Sequence, residues 1–456
     1  MLKKFVLSLI VVLFAIATDS HSQSISAYQL WNTPSFFRGF NFSYDSPASL
    51  QDLINLKASG ATIVYLTTEG FLDEAAPYDT LRQNISDLDT RVGYCDAAGV
   101  RYALAVRRGP GRGDVYLQSV KLDPISSVWT NKSEQQLYGS MLRWMAARYA
   151  SDTLFVGITP TTEPNPFSDN PANYCCVDTT EMLKFFSDSG VDFTAITQLW
   201  VDSIRAGSKN VPVLIQGPDY SDPDIFPLVP IVNDPYPVYE FHSYRPTSYA
   251  EAPTSNSVVY PGQYLNFIPP EEVTFDKAFI KDSVFRFVNA IEKETGAPIF
   301  LGEFGLELPQ TGGPQFLTDI SNIAIENGWA FAYWDWHTKT DSFWNYPKWG
   351  GGSWPAILAS LVEGKSGVIE NAPSTGGLIV SQSSTPGELS VYWPEMEQLG
   401  IAADVNIFDI LGREVRTLTR NSSRFTMDIS GLENGIYILT LRSGDAMAHT
   451  LIAGGR

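Results

Sequence analysis

The chain is short of cations. Lys and Arg number 31 against 50 Asp and Glu, for a net charge of −19. A surface that acidic repels phosphate backbones, so no nucleic-acid partner is expected. Histidine is scarcer still, at four residues. None lies near the three cysteines, Cys95, Cys175 and Cys176, in a spacing that would hold zinc, and no metal site is expected. An odd thiol count leaves at least one unpaired, although a bridge from Cys95 to Cys175 or Cys176 stays open. No GxGxxG or P-loop pattern follows any strand-like run, which disfavours a nucleotide-binding open sheet. Long apolar runs are also missing. The longest, residues 5–17, falls short of the roughly 20 residues that span a bilayer. It follows Lys3 and Lys4 and precedes small-residue cleavage sites at 15–17 and 20–23. That pattern is a secretory signal peptide, assigned to residues 1–22, and no membrane-spanning segment is expected.

What remains is a globular composition, with 44% hydrophobic and 18% charged residues. From 37 to 361, short β-rich runs alternate with helical stretches. The strand-like runs fall at 37–43, 61–68, 101–108, 153–160, 211–218, 237–244, 298–305 and 329–336. Helical patterns follow near 79–98, 133–149, 190–206, 275–294, 315–327 and 354–362, and the segment "SLQDLINLKASG" lies after the first run. Near-continuous apolar strands alternating with helices imply a parallel sheet covered on both faces. Eight units favour a closed barrel. The expected fold is α/β, a (β/α)8 TIM barrel over 27–368. After it, 369–456 reads as a Pro/Ser/Thr/Gly linker and a small all-β, immunoglobulin-like sandwich.

Active sites of such barrels form at the C-terminal ends of the strands. "APIFLGEFGLELP" therefore raises a question, because its buried-strand pattern suddenly carries Glu303. A buried, unpaired carboxylate costs several kcal/mol. Strand four runs out into "TPTTEPNP", with Thr162 and Glu163. Strand six ends in "FHSYRP", where His242 and Tyr244 share a face. Strand eight ends in "YWDWHT", with Trp334 and Trp336, and strand three in Arg107 and Arg108. Glycoside cleavage needs that kit: one carboxylic acid, one carboxylate and flat aromatics for the sugar. The aspartates of "GPDYSDPD" (Asp219, Asp222, Asp224) lack an EF-hand pattern and read as a solvated loop.

The stretch 31–361 resembles glycoside hydrolase family 5 and its clan A relatives, the cellulase- and mannanase-type barrels. The resemblance rests on "GEFG", "HSY", the Glu-Pro at 163–164 and Trp334 in that order. It implies Glu163 as acid/base, Glu303 as retaining nucleophile, and a protonated Glu163 beside an ionised Glu303. It also implies His242, Tyr244 and Trp334 as substrate-binding residues; Thr162, Arg107 and Trp336 are expected beside them on their position at the strand ends, and no cofactor is expected. Thr162 stands where the family usually has Asn, and Tyr65 and Thr67 lie where it usually has a strand-two Arg. Arg107 or Arg108 is expected to supply that cation to Glu303. The segments "VNIFDILGREVRTL", "MDISGLENGIYILTLRSGD" and "LIAGG" resemble the C-terminal sorting domain of the type IX secretion system. The combined reading is a secreted, monomeric, retaining β-glycan hydrolase that meets a polysaccharide and the type IX machinery. A non-catalytic glycan-binding barrel and a transglycosylase using the same residues are the alternatives.

Overall fold

The computed structural model describes residues 26–43, 49–68, 81–113, 126–167, 178–251, 258–267, 269–307, 310–336, 367–368, 378–382, 387–394, 396, 402–409, 414–432, 435–443 and 446–454. Eight parallel strands close into a barrel. They are β1 (Arg38–Phe42), β2 (Ile63–Thr68), β3 (Arg101–Val106), β4 (Phe155–Thr159), β5 (Val213–Gln216), β6 (Pro237–Ser243), β9 (Ile299–Gly305) and β10 (Ala330–Trp334). Their order round the barrel is β1-β10-β9-β6-β5-β4-β3-β2. Each expected strand is present. The helix expected near 354–362 lies outside the described residues.

The strands are buried on both faces, and their side chains sort by alternation. Outward residues such as Val64, Leu104, Ile158, Ile215 and Phe241 pack with the surrounding helices. Inward residues Ile63, Val156, Leu214, Val238, Phe300 and Ala330 form a separate apolar cluster. The short helix Ala27–Trp31 closes the bottom of that cluster, with Trp31 donating its indole N–H to the Val156 carbonyl at 2.7 Å. Toward the C-terminal ends the inward positions become polar: Asn41, Tyr65, Thr159, Gln216, Glu240 and His242 are all buried.

Some elements escaped the sequence reading, the helix Ala27–Trp31 among them. The helix Thr179–Ser189 precedes Phe193–Gly207, and a hairpin, β7 (Gly262–Phe267) with β8 (Pro270–Phe275), is inserted after β6. The expected solvated loop at 217–224 is in fact packed. Asp219, Ser221 and Asp224 are buried, and Asp219, Tyr220 and Ser221 all take left-handed φ, at 54, 59 and 59°. Arg245 and Arg286 meet the Asp222 and Asp224 carboxylates, so this loop is an ion-paired wall. Cys95 is a buried free thiol, and burial pushes its pKa up. Cys175 and Cys176 lie outside the described residues.

The C-terminal region forms a five-stranded and a three-stranded sheet, which share one apolar cluster around Trp393, Leu389, Val405 and Leu439. Its strands Glu388–Tyr392, Ala403–Asp409, Glu414–Arg420, Arg424–Asp428, Gly435–Ser443 and Ala446–Gly454 agree with the expected all-β character. Two more are added: Ile379–Gln382, inside the expected linker, and Gly367–Val368, which pairs with Ala446–Gly454. The tail sheet thus begins just before the boundary read from composition.

Trp31 fills the barrel floor and is 4% exposed. Trp31→Ala is expected to destabilise the fold by about 3–5 kcal/mol, the usual range for emptying an aromatic site. Denaturant unfolding measures it, and a loss under about 1 kcal/mol would mean that the helix does not close the barrel.

Candidate active site

The top of the barrel brings Glu163 and Glu303 together. Carboxylate oxygens of the two and a ring nitrogen of His242 all lie within 4.8 Å of one another. A deliberate backbone irregularity puts Glu303 there. Opposite β6, Phe241 pairs with Leu301 but His242 pairs with Glu303, and β10 shows a matching shift, so Gly302 is an extra, bulged residue. A bulge re-aims the next side chain. Glu303, which strict alternation would send outward, turns into the barrel. The freed Gly302 carbonyl accepts from Asn41 Nδ2 at 2.8 Å. Glycine is required here, since a Cβ would meet Glu240 Oε1 at 2.1 Å.

Glu163 is held differently. Its φ is +51°, an uncommon left-handed value for a residue with a Cβ. Surrounding hydrogen bonds stabilise it. Its N–H donates to Gln216 Oε1 at 2.6 Å, and buried Arg112 donates to the carbonyls of Thr162 and Glu163. Thr162 itself donates its N–H to the Val106 carbonyl at 2.7 Å. Its hydroxyl is buried without a hydrogen-bond partner among the described residues.

Two cations bridge the carboxylates. Arg107 Nη2 lies 2.8 Å from Glu163 and 3.6 Å from Glu303. The expected cation therefore comes from strand three. His242 Nδ1 lies 3.2 Å from Glu163 and 3.6 Å from Glu303. Tyr244 donates its hydroxyl to Glu303 Oε2 at 2.9 Å. Trp334 stands beside them, its ring under the Arg107 guanidinium at 5.3 Å. Trp336 is elsewhere. It is 4% exposed and packs edge-on against Phe40, so it offers the cleft no free ring face. Its N–H to the Asn41 carbonyl anchors the end of β10.

Burial raises both carboxyl groups, and what surrounds each then separates them. Burial is outweighed at Glu163 by Arg107, His242 and Arg112, which hold it at about 2. Glu303 is pushed up to about 7 by burial and the Glu163 charge, against His242, Arg107 and Tyr244. Burial disfavours the charged imidazole, yet Glu303, Glu163 and Glu240 raise His242 to about 10. These opposite directions favour Glu303 over Glu163 as the carboxyl that keeps a proton in the substrate-free pair. The sequence reading put it on Glu163. The reason for the difference is distance, because both cations lie closer to Glu163. Glu240, Gln216, Arg112 and Asn41 were not foreseen as site residues. Glu240 was within reach, two residues before His242 and hence on its face.

A closed (β/α)8 barrel with two facing carboxylates at its C-terminal rim is the arrangement for cleaving glycosidic bonds. The chain belongs to glycosyl hydrolase family 5, whose cellulase model matches residues 31–340, and it is a glycoside hydrolase. The secretion system C-terminal sorting domain model matches residues 385–452, which marks the chain for type IX secretion to the cell surface or beyond. Among solved structures, an endoglucanase shares 16% identity at a TM-score of 0.52, covering 74% of this chain and 100% of its own. Endoglucanase Cel5A from the hyperthermophilic Thermotoga maritima shares 12% at 0.54, with the same coverages of 74% and 100%. These likenesses concern the fold. No curated protein matches the sequence.

The site charges set a pH signature. His242, raised to about 10, contributes stability that is full below its unfolded value of about 6.5 and is lost as pH rises through about 10. Glu303, raised to about 7, favours the fold when protonated, so its contribution is lost as pH rises from about 4.3 through 7. Glu163, at about 2, contributes above about 4.3 and loses that only in acid. Glu303→Gln is accordingly expected to be more stable than wild type at pH 8, with the advantage shrinking toward pH 4. Chemical denaturation across that range measures it, and a pH-independent difference would contradict the raised value.

Proposed function

We propose that this glycoside hydrolase is a retaining endo-acting β-glycanase, with Glu303 as nucleophile and Glu163 as general acid/base. The observation that carries this reading is the separation of the two carboxylates, within 4.8 Å. Retaining enzymes need roughly 5–5.5 Å, whereas inverting ones need about 6.5–9.5 Å to admit a water between the groups. Glu303 attacks the anomeric carbon as the glycosidic C–O bond breaks, and Glu163 gives its proton to the leaving oxygen. Glu163 then takes a proton from water, which attacks the same carbon and frees Glu303.

The proton must reach Glu163 before the first step. A strongly coupled pair holds its proton jointly, and small changes in the surroundings move it. A sugar ring developing positive charge beside Glu303 favours that carboxylate ionised, and the proton passes to Glu163. Tyr244 keeps one Glu303 oxygen occupied, leaving the other to attack. Arg107 balances the charge of both groups throughout, and Trp334 floors the reacting sugar. The cellulase family model and the endoglucanase structures make β-glucan the first substrate to try.

Reducing-sugar release from β-glucans, mannans and xylans is the test. Glu163→Gln is expected to lose on the order of 10²–10⁴ in rate on unactivated substrate. Glu303→Gln is expected to lose at least as much, and Tyr244→Phe about tenfold. NMR of the first-formed product should show the β anomer, and an α anomer would overturn retention.

We also propose that residues 1–22 are removed on export and that residues 369–456 act only in delivery. Deleting 385–452 should leave activity per molecule unchanged and strand the enzyme in the periplasm. Fractionation of cells expressing both forms decides this, and normal release of the shortened chain would sink it.

A further inference from the structure

Beneath the two carboxylates lies a third that the proposed mechanism does not use. Glu240 is fully buried, in the middle of β6, with its side chain inside the barrel. Tyr65 donates to Oε1 at 2.8 Å, and Thr159 donates to Oε2 at 2.7 Å. Tyr65 and Thr159 also touch each other through their hydroxyls. The remaining contact is His242 Nε2, 3.2 Å from Oε1. Among the described residues, His242 is the basic group within ion-pair reach of Glu240. A buried carboxylate served only by neutral hydroxyls would cost several kcal/mol.

The imidazole is fixed from both ends. Nε2 faces Glu240, while Nδ1 faces Glu163 and Glu303. The backbone is clamped too. Ser221, in the left-handed loop, donates its hydroxyl to the Glu240 carbonyl at 2.7 Å, and its own carbonyl accepts the His242 N–H at 3.0 Å. One competitor exists. Gln216 Nε2 lies 3.0 Å from His242 Nε2 and would donate to a neutral imidazole. Gln216 Oε1 is already committed to the Glu163 N–H, so the amide cannot turn round to accept instead. The site therefore has two discrete states: a charged imidazole bound to Glu240, or a neutral one bound to Gln216.

We propose that Glu240 is a positioning residue that selects the first state, so that the ring whose Nδ1–H faces both reacting carboxylates is the charged imidazolium rather than the neutral tautomer. The charged and titratable groups around the imidazole are Glu163, Glu303, Arg107, Tyr244 and Tyr65 besides Glu240 itself. Only Glu240 lies on the Nε2 side with a formal charge. Its effect on the reaction rests on the roles proposed for Glu163 and Glu303, but its effect on His242 does not.

Two readouts separate those cases in the full-length enzyme. The first is ¹⁵N NMR of histidine-labelled protein, which reports the protonation of His242 with no substrate present. Wild type should show a doubly protonated imidazole at pH 7.5. Glu240→Gln should show a neutral ring at that pH, with its titration moved toward neutrality. The second is the pH–rate profile on whichever glycan wild type cleaves. Glu240→Gln should lower kcat on the order of tenfold at pH 7.5, a share of the 10²–10⁴ from a well-placed proton donor. KM should change less than twofold, and the alkaline limb should move to lower pH. The same change made in a His242→Asn background should have no further effect.

If Glu240→Gln does not fold, Tyr65→Phe carries the test. It removes a donor, so Glu240 binds His242 harder and the alkaline limb should move to higher pH. A neutral His242 in wild type, a titration that the variants do not move, or a rate loss additive with His242→Asn would each overturn the proposal. Altered NMR with no detectable glycan cleavage in wild type would instead uphold the role of Glu240 and refute the proposed reaction.

Discussion

Two carboxylates cannot sit within 4.8 Å in a buried site without help. Their mutual repulsion is the constraint on which the top of this barrel depends. At an effective dielectric of about 20, two like charges 4 Å apart repel by roughly 4 kcal/mol. Three devices reduce that cost here. One proton stays on the pair, Arg107 bridges both groups, and His242 lies between them with a charge of its own. None of these removes the repulsion entirely. What is left is a pair whose proton can be moved by a new charge nearby, the property that the proposed acid/base cycle requires.

The backbone makes the constraint possible. A regular β9 would bury Phe300 inward, Leu301 outward and Gly302 inward, and would then send Glu303 outward among the helices. The bulge at Gly302 inverts that last step. It also frees a carbonyl, which Asn41 takes up, and leaves space for Glu240, which a side chain on residue 302 would fill. The left-handed turn at Glu163 is the counterpart on the other side, held by Gln216 and Arg112. Strain of this kind persists only where neighbours over-determine it.

Much of this was legible beforehand. Eight apolar runs at regular spacing specify the barrel because strands buried on both faces must be nearly all apolar. A carboxylate closing such a run stands out, which is how Glu303 was found. Glu163 was found by its place after β4. The hairpin at 262–275 was missed because "GQYLNFIPPEEVTF" has no clean apolar alternation: Leu265 is exposed and Glu271 and Glu272 face solvent. The 217–224 loop was misread because acidic residues usually mean solvent, and only tertiary contacts with Arg245 and Arg286 say otherwise. Trp336 fitted a sugar platform by type but packs as core, since one residue's face at a strand end depends on the register with β1.

The exchange of residues relative to the family pattern has a single electrostatic logic. The usual strand-two cation is absent, and Tyr65 occupies that strand's inward position. Burial, the Glu240 charge and the Glu303 charge push its hydroxyl pKa well above the ordinary value, so Tyr65 stays neutral and offers Glu240 a hydrogen bond but no counter-charge. Arg107, just past β3, lies instead against Glu163 and Glu303. Glu240 must then find its counter-charge on the other side, and β6 supplies it two residues later, on the same face, as His242. The imidazole of His242 thus lies against carboxylates both above and below it.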